Sequence, residues 1–143
     1  VEEGPIDLVR LVGSGNSVTV RVTGRDAVGD PQVLVGEFIV DTKFLKGTQR
    51  TWIFPQDLAA WQAVLDSLAR GENASWRKDK RATELHIELA APDLHPGQVR
   101  VSVADREGSR TTARVLLEPA DGWIEDHRAR LDRVRQAWPQ PLV

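Results

Sequence analysis

The sequence contains no cysteine. That absence excludes disulfide frameworks, thiolate zinc sites and cysteine nucleophiles together, and it leans towards a reducing, cytoplasmic compartment. Tyrosine is absent and phenylalanine scarce, so five tryptophans supply most of the large aromatic surface. A basic excess is missing too: 19 basic residues stand against 21 acidic ones, for a net charge of −2. Proteins that grip nucleic acid through its phosphates usually show such an excess, so nucleic acid is not an expected partner. Lysine is limited to Lys43, Lys46, Lys78 and Lys80, a bias read as genomic base composition. No apolar run approaches the ~20 residues a membrane helix needs, and no membrane is expected. The opening Val1-Glu2-Glu3-Gly4-Pro5 is acidic and lacks the apolar stretch of a signal peptide, with a preceding segment left open. The 143 residues fit one domain spanning 1–143, able to bury roughly 68–70% of the surface the unfolded chain exposes.

What is present is a two-residue rhythm. Ile6 to Leu11 reads as a strand, and Gly13-Ser14-Gly15-Asn16 as a turn. Ser17 to Thr23 sets Val18, Val20 and Val22 against Thr19, Arg21 and Thr23, the mark of a strand with one buried face. Val33 to Phe44 reads as a long strand with a bulge at Val35-Gly36-Glu37, then a turn at Lys46-Gly47 and a fourth strand over Thr48 to Phe54. The rhythm then becomes helical. Leu58, Trp61, Leu65 and Leu68 share one face of a helix over about 56–70, with Pro55 in its first turn and Gly71 ending it.

Strands resume at Ala74 to Lys78, Thr83 to Ala90, Gln98 to Ala104 and Arg110 to Leu117. A second helix over about 122–137 carries Ile124, Leu131, Val134 and Trp138, with Asp121 as its expected N-cap and Pro139 and Pro141 as its stop. The fold expected is therefore α+β: a predominantly antiparallel sheet of about eight strands with two amphipathic helices, in the order ββββα-ββββα. Both halves pass into their helix through a Pro-x-Asp step, Pro55-Gln56-Asp57 and Pro119-Ala120-Asp121, a hint of duplication.

No segment carries a catalytic, cofactor or metal motif, and the chain leans away from being an enzyme. Glu84, His86 and Glu88 fall on one strand face, with Arg100 expected across the hairpin. A metal or a general base would use such a set, and a solvated sheet face looks the same. His127, Arg128, Arg130, Arg133 and Arg135 form a basic series on the second helix, but Glu125, Asp126 and Asp132 interleave with it. Trp61 and Trp138 fall on the helix core stripes, whereas Trp52, Trp76 and Trp123 lie at strand or junction positions where a binding groove is conceivable. Gly13 to Ser17 lacks the lysine of a P-loop and precedes a strand, so a hairpin turn accounts for it. No G-x-S-x-G elbow occurs.

Several stretches together resemble a family of small uncharacterised actinobacterial proteins, a domain-of-unknown-function family. They are Pro5 to Leu11, Ser17 to Gly24, the Leu58–Trp61 helix with Trp76, and above all Asp121-Gly122-Trp123 running through His127-Arg128 to Ala137-Trp138-Pro139. The resemblance spans nearly the whole chain and implies one complete domain, with no activity to carry over. In size and architecture the chain is more loosely similar to bacterial toxin-immunity proteins.

The function expected is a non-enzymatic binding module, of immunity or accessory type, acting through protein contact. Its candidate surface is Trp52, Trp76, Trp123, His86, Arg100, Arg128 and Arg135. The alternative is a small-molecule domain with a Trp-lined pocket between sheet and helices. No cofactor is expected. The helix-face reading predicts that Leu65→Ala and Leu131→Ala each cost about 2–5 kcal/mol. Urea unfolding checks this, and unchanged midpoints in both variants contradict it.

Overall fold

A computed structural model describes residues 4–78 and 82–139. Val1, Lys80 and Pro141 lie outside the described residues. The first half is an antiparallel meander of β1 (Ile6–Gly13), β2 (Asn16–Arg25), β3 (Leu34–Asp41) and β4 (Lys46–Ile53), followed by α1 (Pro55–Ala69). The second half repeats the plan with β5 (Ala74–Trp76), β6 (Glu84–Glu88), β7 (Val99–Ala104) and β8 (Thr112–Leu117), followed by α2 (Trp123–Ala137). Each meander forms its own four-stranded sheet. The α+β class and the ββββα-ββββα order are those read from the sequence.

The alternating valines behave as their rhythm dictates. Val18, Val20, Val22, Val99, Val101 and Val103 are all buried in one continuous core. That core also takes Phe38 of β3, the α1 stripe of Leu58, Trp61, Leu65 and Leu68, Leu131 and Val134 from α2, and Trp138 at its C-cap. The helices exchange halves. α1 packs on β5 of the second sheet and α2 on β1 of the first, and the two helices also meet each other. Each sheet therefore has its first strand covered by the helix that ends the other half.

Local sequence explains the ends of the elements. Ser14 and Gly15 both have positive φ, 56° and 80°, between paired Gly13 and Asn16. That is the two-residue type I′ turn whose twist suits a hairpin. At the start of α1 the Asp57 carboxylate accepts the Phe54 N–H at 2.9 Å, while Pro55 fills the first helical position. At its end Gly71 adopts φ +79°. Its N–H donates to the Leu68 carbonyl at 2.9 Å and that of Glu72 to Ser67 at 3.1 Å, closing a Schellman motif.

Three local expectations are corrected. The bulge sits on β2 and not at Gly36: Val22 pairs with Gly36 and Gly24 with Val35, so Thr23 is the extra residue. Gly36 is needed for another reason, because a Cβ there would lie 2.5 Å from the Arg21 carbonyl oxygen. The third strand ends at Asp41, and the turn is Thr42–Leu45 in place of Lys46-Gly47. Thr42 closes that turn itself: its N–H donates to the Leu45 carbonyl and its hydroxyl accepts the Leu45 N–H, both at 2.8 Å. Finally, Gly122 and not Asp121 occupies the N-cap of α2, at φ +79° with no side-chain cap. The two Pro-x-Asp steps are thus not equivalent, since Pro119 and Asp121 stay outside their helix.

Gly36→Ala should destabilise by about 1–3 kcal/mol through forced overpacking. Gly24→Ala, where a Cβ meets nothing within 4 Å, should change stability far less. Thermal melts of the two variants side by side check this, and equal shifts contradict it.

Candidate functional site

A chain of rings crosses the interior. Phe38 lies 6.2 Å from Trp76, Trp76 is 5.4 Å from Trp61, Trp61 is 6.3 Å from His127, and His127 is 5.9 Å from Trp123. Trp76 is fully buried, and its indole N–H donates to the Asp57 carbonyl at 2.8 Å. Trp76 therefore presents no surface. Trp123 is half-buried against His127, and only Trp52 stands out, 42% exposed with the Arg50 guanidinium 5.6 Å above its ring.

The sequence pattern placed His127 among surface cations; it is in fact buried, at 1% exposure. Its Nε2 accepts the Arg10 N–H at 3.0 Å and its Nδ1 lies 2.6 Å from the Trp123 carbonyl. Nδ1 therefore carries the proton and Nε2 is the acceptor, a neutral ring. Burial pushes its pKa below the usual histidine value. Arg10 sits on the outer edge of β1, so His127 pairs a strand-edge donor that would otherwise be orphaned. Arg130 Nη1 does the same for the Asp7 carbonyl at 3.3 Å.

A buried cation, Arg77, had no signal in the sequence. It holds φ +67° and lies 5.3 Å from the Trp76 ring and 5.7 Å from that of Phe38. Its Nη2 donates to the Thr51 hydroxyl at 2.7 Å, and desolvation lowers its pKa.

The remaining expected site residues are held by neighbours. His86 Nδ1 lies 2.5 Å from the Ser75 hydroxyl. Arg100 grips Glu88 across the hairpin with bonds of 3.1 and 3.0 Å and reaches Asp93 at 2.6 Å. Those bonds hold the Glu88 carboxyl below the usual carboxylate range. Glu84 is buried and paired with Arg106. Arg128 bonds Asp66 at 2.7 Å and Arg135 bonds Gln62 at 2.7 Å, both tying α2 to α1. Trp76 is thus buried, Arg128 and Arg135 both face α1, and His86 and Arg100 are diagonal neighbours on one face of the second sheet. Among the described residues no group of three or more His, Asp or Glu is placed to hold a metal ion, and no helix is long and apolar enough to cross a membrane.

Clefts among the described residues include three on the surface. One of about 390 Å³, beside the start of α2, includes Trp123 with Arg10, Asp126 and Arg130. A second, of about 340 Å³, lies between the two sheets where Phe38, Val40, Val103 and Ala113 form apolar walls and Gln49 and Asp105 a polar rim. Its aromatic wall is Phe38, so it is not the Trp-lined pocket expected between sheet and helices. The third, of about 470 Å³, runs beside β8. The Thr42–Leu45 turn stands between the second and third clefts, with Leu45 lining both. Phe44 at its tip is 98% exposed, and Leu45 and Leu116 beside it are also exposed. Sequence reasoning missed Phe44 and Leu45 because it ran the third strand through Phe44; the signal available was the loss of alternation after Asp41.

The fold defines a small α+β protein of two antiparallel meanders and two exchanged helices, whose exposed apolar residues include a hairpin tip. The chain belongs to a family of unknown function, DUF5959, whose model matches residues 6–139. No curated protein matches the sequence at a significant level.

The buried neutral histidine predicts acid sensitivity. The unfolded chain takes up the His127 proton near pH 6.5, whereas the folded protein resists until lower pH. Stability should therefore fall as pH drops below about 6.5 and level off once the folded ring also titrates. Urea midpoints at about pH 7 and pH 5 should show a smaller acid loss in His127→Gln than in the wild type. Equal losses contradict the assignment.

Proposed function

We propose that this chain is one non-enzymatic, cytoplasmic binding domain that acts through protein–protein contact, as an immunity-type or accessory protein does. The observation that carries the reading is Phe44, 98% exposed at the tip of the β3–β4 hairpin beside exposed Leu45 and Leu116. A large aromatic held in water at a hydrogen-bonded turn adds nothing to the core and is suited to burial in a partner. The polar candidates His86, Arg100 and Arg128 are already held by neighbouring side chains, which supports contact over chemistry. A second reading is a small apolar ligand in the cleft between the sheets, whose volume of about 340 Å³ falls in the range of ligand sites. Native mass spectrometry of gently purified protein separates that reading, because a discrete co-purifying small molecule supports it and a bare chain opposes it.

A photo-crosslinking amino acid in place of Phe44 tests the protein-contact reading in native lysate. It should trap a discrete protein partner. The same probe at Val28, equally exposed in the β2–β3 loop at the opposite end of the strands, should not. No adduct at position 44, or the same adducts at both positions, contradicts the proposal. Phe44→Ala should leave stability within about 0.5 kcal/mol, as expected of an exposed side chain.

A further inference from the structure

We infer that the groove beside β8 receives an extended, acidic segment of a partner protein, which pairs with β8 as a fifth strand of the second sheet. The inference rests on the protein-contact reading above and names the chemistry of the partner.

β8 is the last strand of its sheet, bonded to β7 on one side, and the β1–β2 hairpin lies against its C-terminal end, which leaves the Thr112–Arg114 stretch as the open part of the edge. The direction of its backbone groups follows from two bonds. The Thr111 carbonyl accepts the Asp105 N–H at 2.9 Å, so it points towards the β7 side. The Leu116 carbonyl accepts the side-chain amide of Asn16 at 2.9 Å, so it points away. In an antiparallel strand the direction alternates with every residue. Thr112, Arg114 and Leu116 therefore aim their N–H and C=O groups outward. Asn16 occupies the Leu116 carbonyl, and the outward groups of Thr112 and Arg114 find no partner among the described residues.

The groove is shaped to this edge. Five consecutive β8 residues, Thr112 to Leu116, form one wall, and Thr42 to Leu45 form the other. A side-chain pocket on a strand is lined by alternate residues, whereas a run of consecutive ones means that the backbone edge itself is the wall. Unpaired edges of this kind template strand addition, with main-chain bonds supplying affinity.

Charge selects the occupant. Lys43 and Arg114 line the groove and no carboxylate does, although Arg114 also feels the Glu88 carboxylate on the sheet. An acidic strand places carboxylates beside both, with apolar residues left to meet Phe44 and Leu45. A second copy of this chain fits poorly, because β8 added antiparallel to β8 about Arg114 sets the two arginines opposite one another, and like charges so placed are destabilising.

The test uses the full chain with an eight-residue peptide of alternating valine and glutamate, read by amide NMR and hydrogen exchange. The peptide should slow exchange at the Thr112 and Arg114 amides. A lysine-for-glutamate peptide should bind about tenfold more weakly or worse, as should a copy methylated on alternate backbone nitrogens. No protection at those two amides, or equal binding of the methylated copy, overturns strand pairing. Concentration-dependent protection without peptide, with dimers in sedimentation, also overturns it and assigns the edge to a second copy. Thr112→Pro removes one outward donor at a position where an edge strand tolerates proline, and Thr112→Val controls for the side chain. If the Phe44 probe still traps its partner at full yield in Thr112→Pro, strand addition fails while protein contact stands. If the probe traps nothing in the parent protein, the broader reading fails by itself.

Discussion

Two sheets with one apolar face each cannot both keep that face from water unless they share a single interior, and the rest of the structure depends on that constraint. The shared interior is organised along a line of rings: Phe38 on β3, Trp76 on β5, Trp61 on α1, then His127 and Trp123 on α2. Each member comes from a different element except the last two, so the line joins both sheets and both helices. Trp76 is its pivot. The indole fills space between the sheets while its N–H binds the Asp57 carbonyl in the first turn of α1, so sheet and helix are aligned by one side chain. Aromatic pairs at such separations add about 0.5–1.5 kcal/mol each beyond the area they bury.

The same constraint accounts for the exchange of helices. A helix that folded back on its own meander would leave the two sheets without a common cover. Instead α1 covers β5 and α2 covers β1, which shields one edge of each sheet. Polar chemistry completes that shield. His127 and Arg130 pair the β1 backbone, and Arg77 reaches Thr51 on β4. Arg77 is a buried cation beside two aromatic faces, with the Asp57 and Glu107 carboxylates offsetting part of its desolvation. The β8 edge lies outside the helices' cover, and only its C-terminal end is met by the β1–β2 hairpin, where Asn16 caps the Leu116 carbonyl. An open edge is a liability that proteins usually blunt, which is why its setting beside an exposed phenylalanine bears on function.

Much of the fold is legible in the residues because its driving term is local in sequence. Val18, Val20 and Val22 alternate regardless of what they pack against, and Leu58, Trp61, Leu65 and Leu68 share a face in any helix that contains them. Gly71 likewise ends α1 by its own backbone freedom. The misreadings share one cause. His127 lies three residues after Ile124 and four before Leu131, squarely on the apolar stripe, yet its chemistry suggested a surface cation. Gly36 seemed to mark a bulge, but the extra residue is on the partner strand, and the glycine answers to the Arg21 carbonyl across from it. The candidate site was less legible still. Trp76, Arg100 and Arg128 have the composition of a binding surface, and each is already engaged by the fold.

Alternation, helical spacing and turn residues by themselves determined the α+β class, the order of the ten elements and the inward side of the strands that alternate cleanly, β2, β6 and β7, because those depend on neighbours within a few positions of the chain. Only the tertiary structure decided that the helices trade sheets, that His127 is a neutral acceptor for Arg10, and that β8 keeps an open edge facing Phe44. Those outcomes depend on groups brought together from positions about a hundred residues apart, where burial and pairing of backbone groups, and not local preference, set the energy.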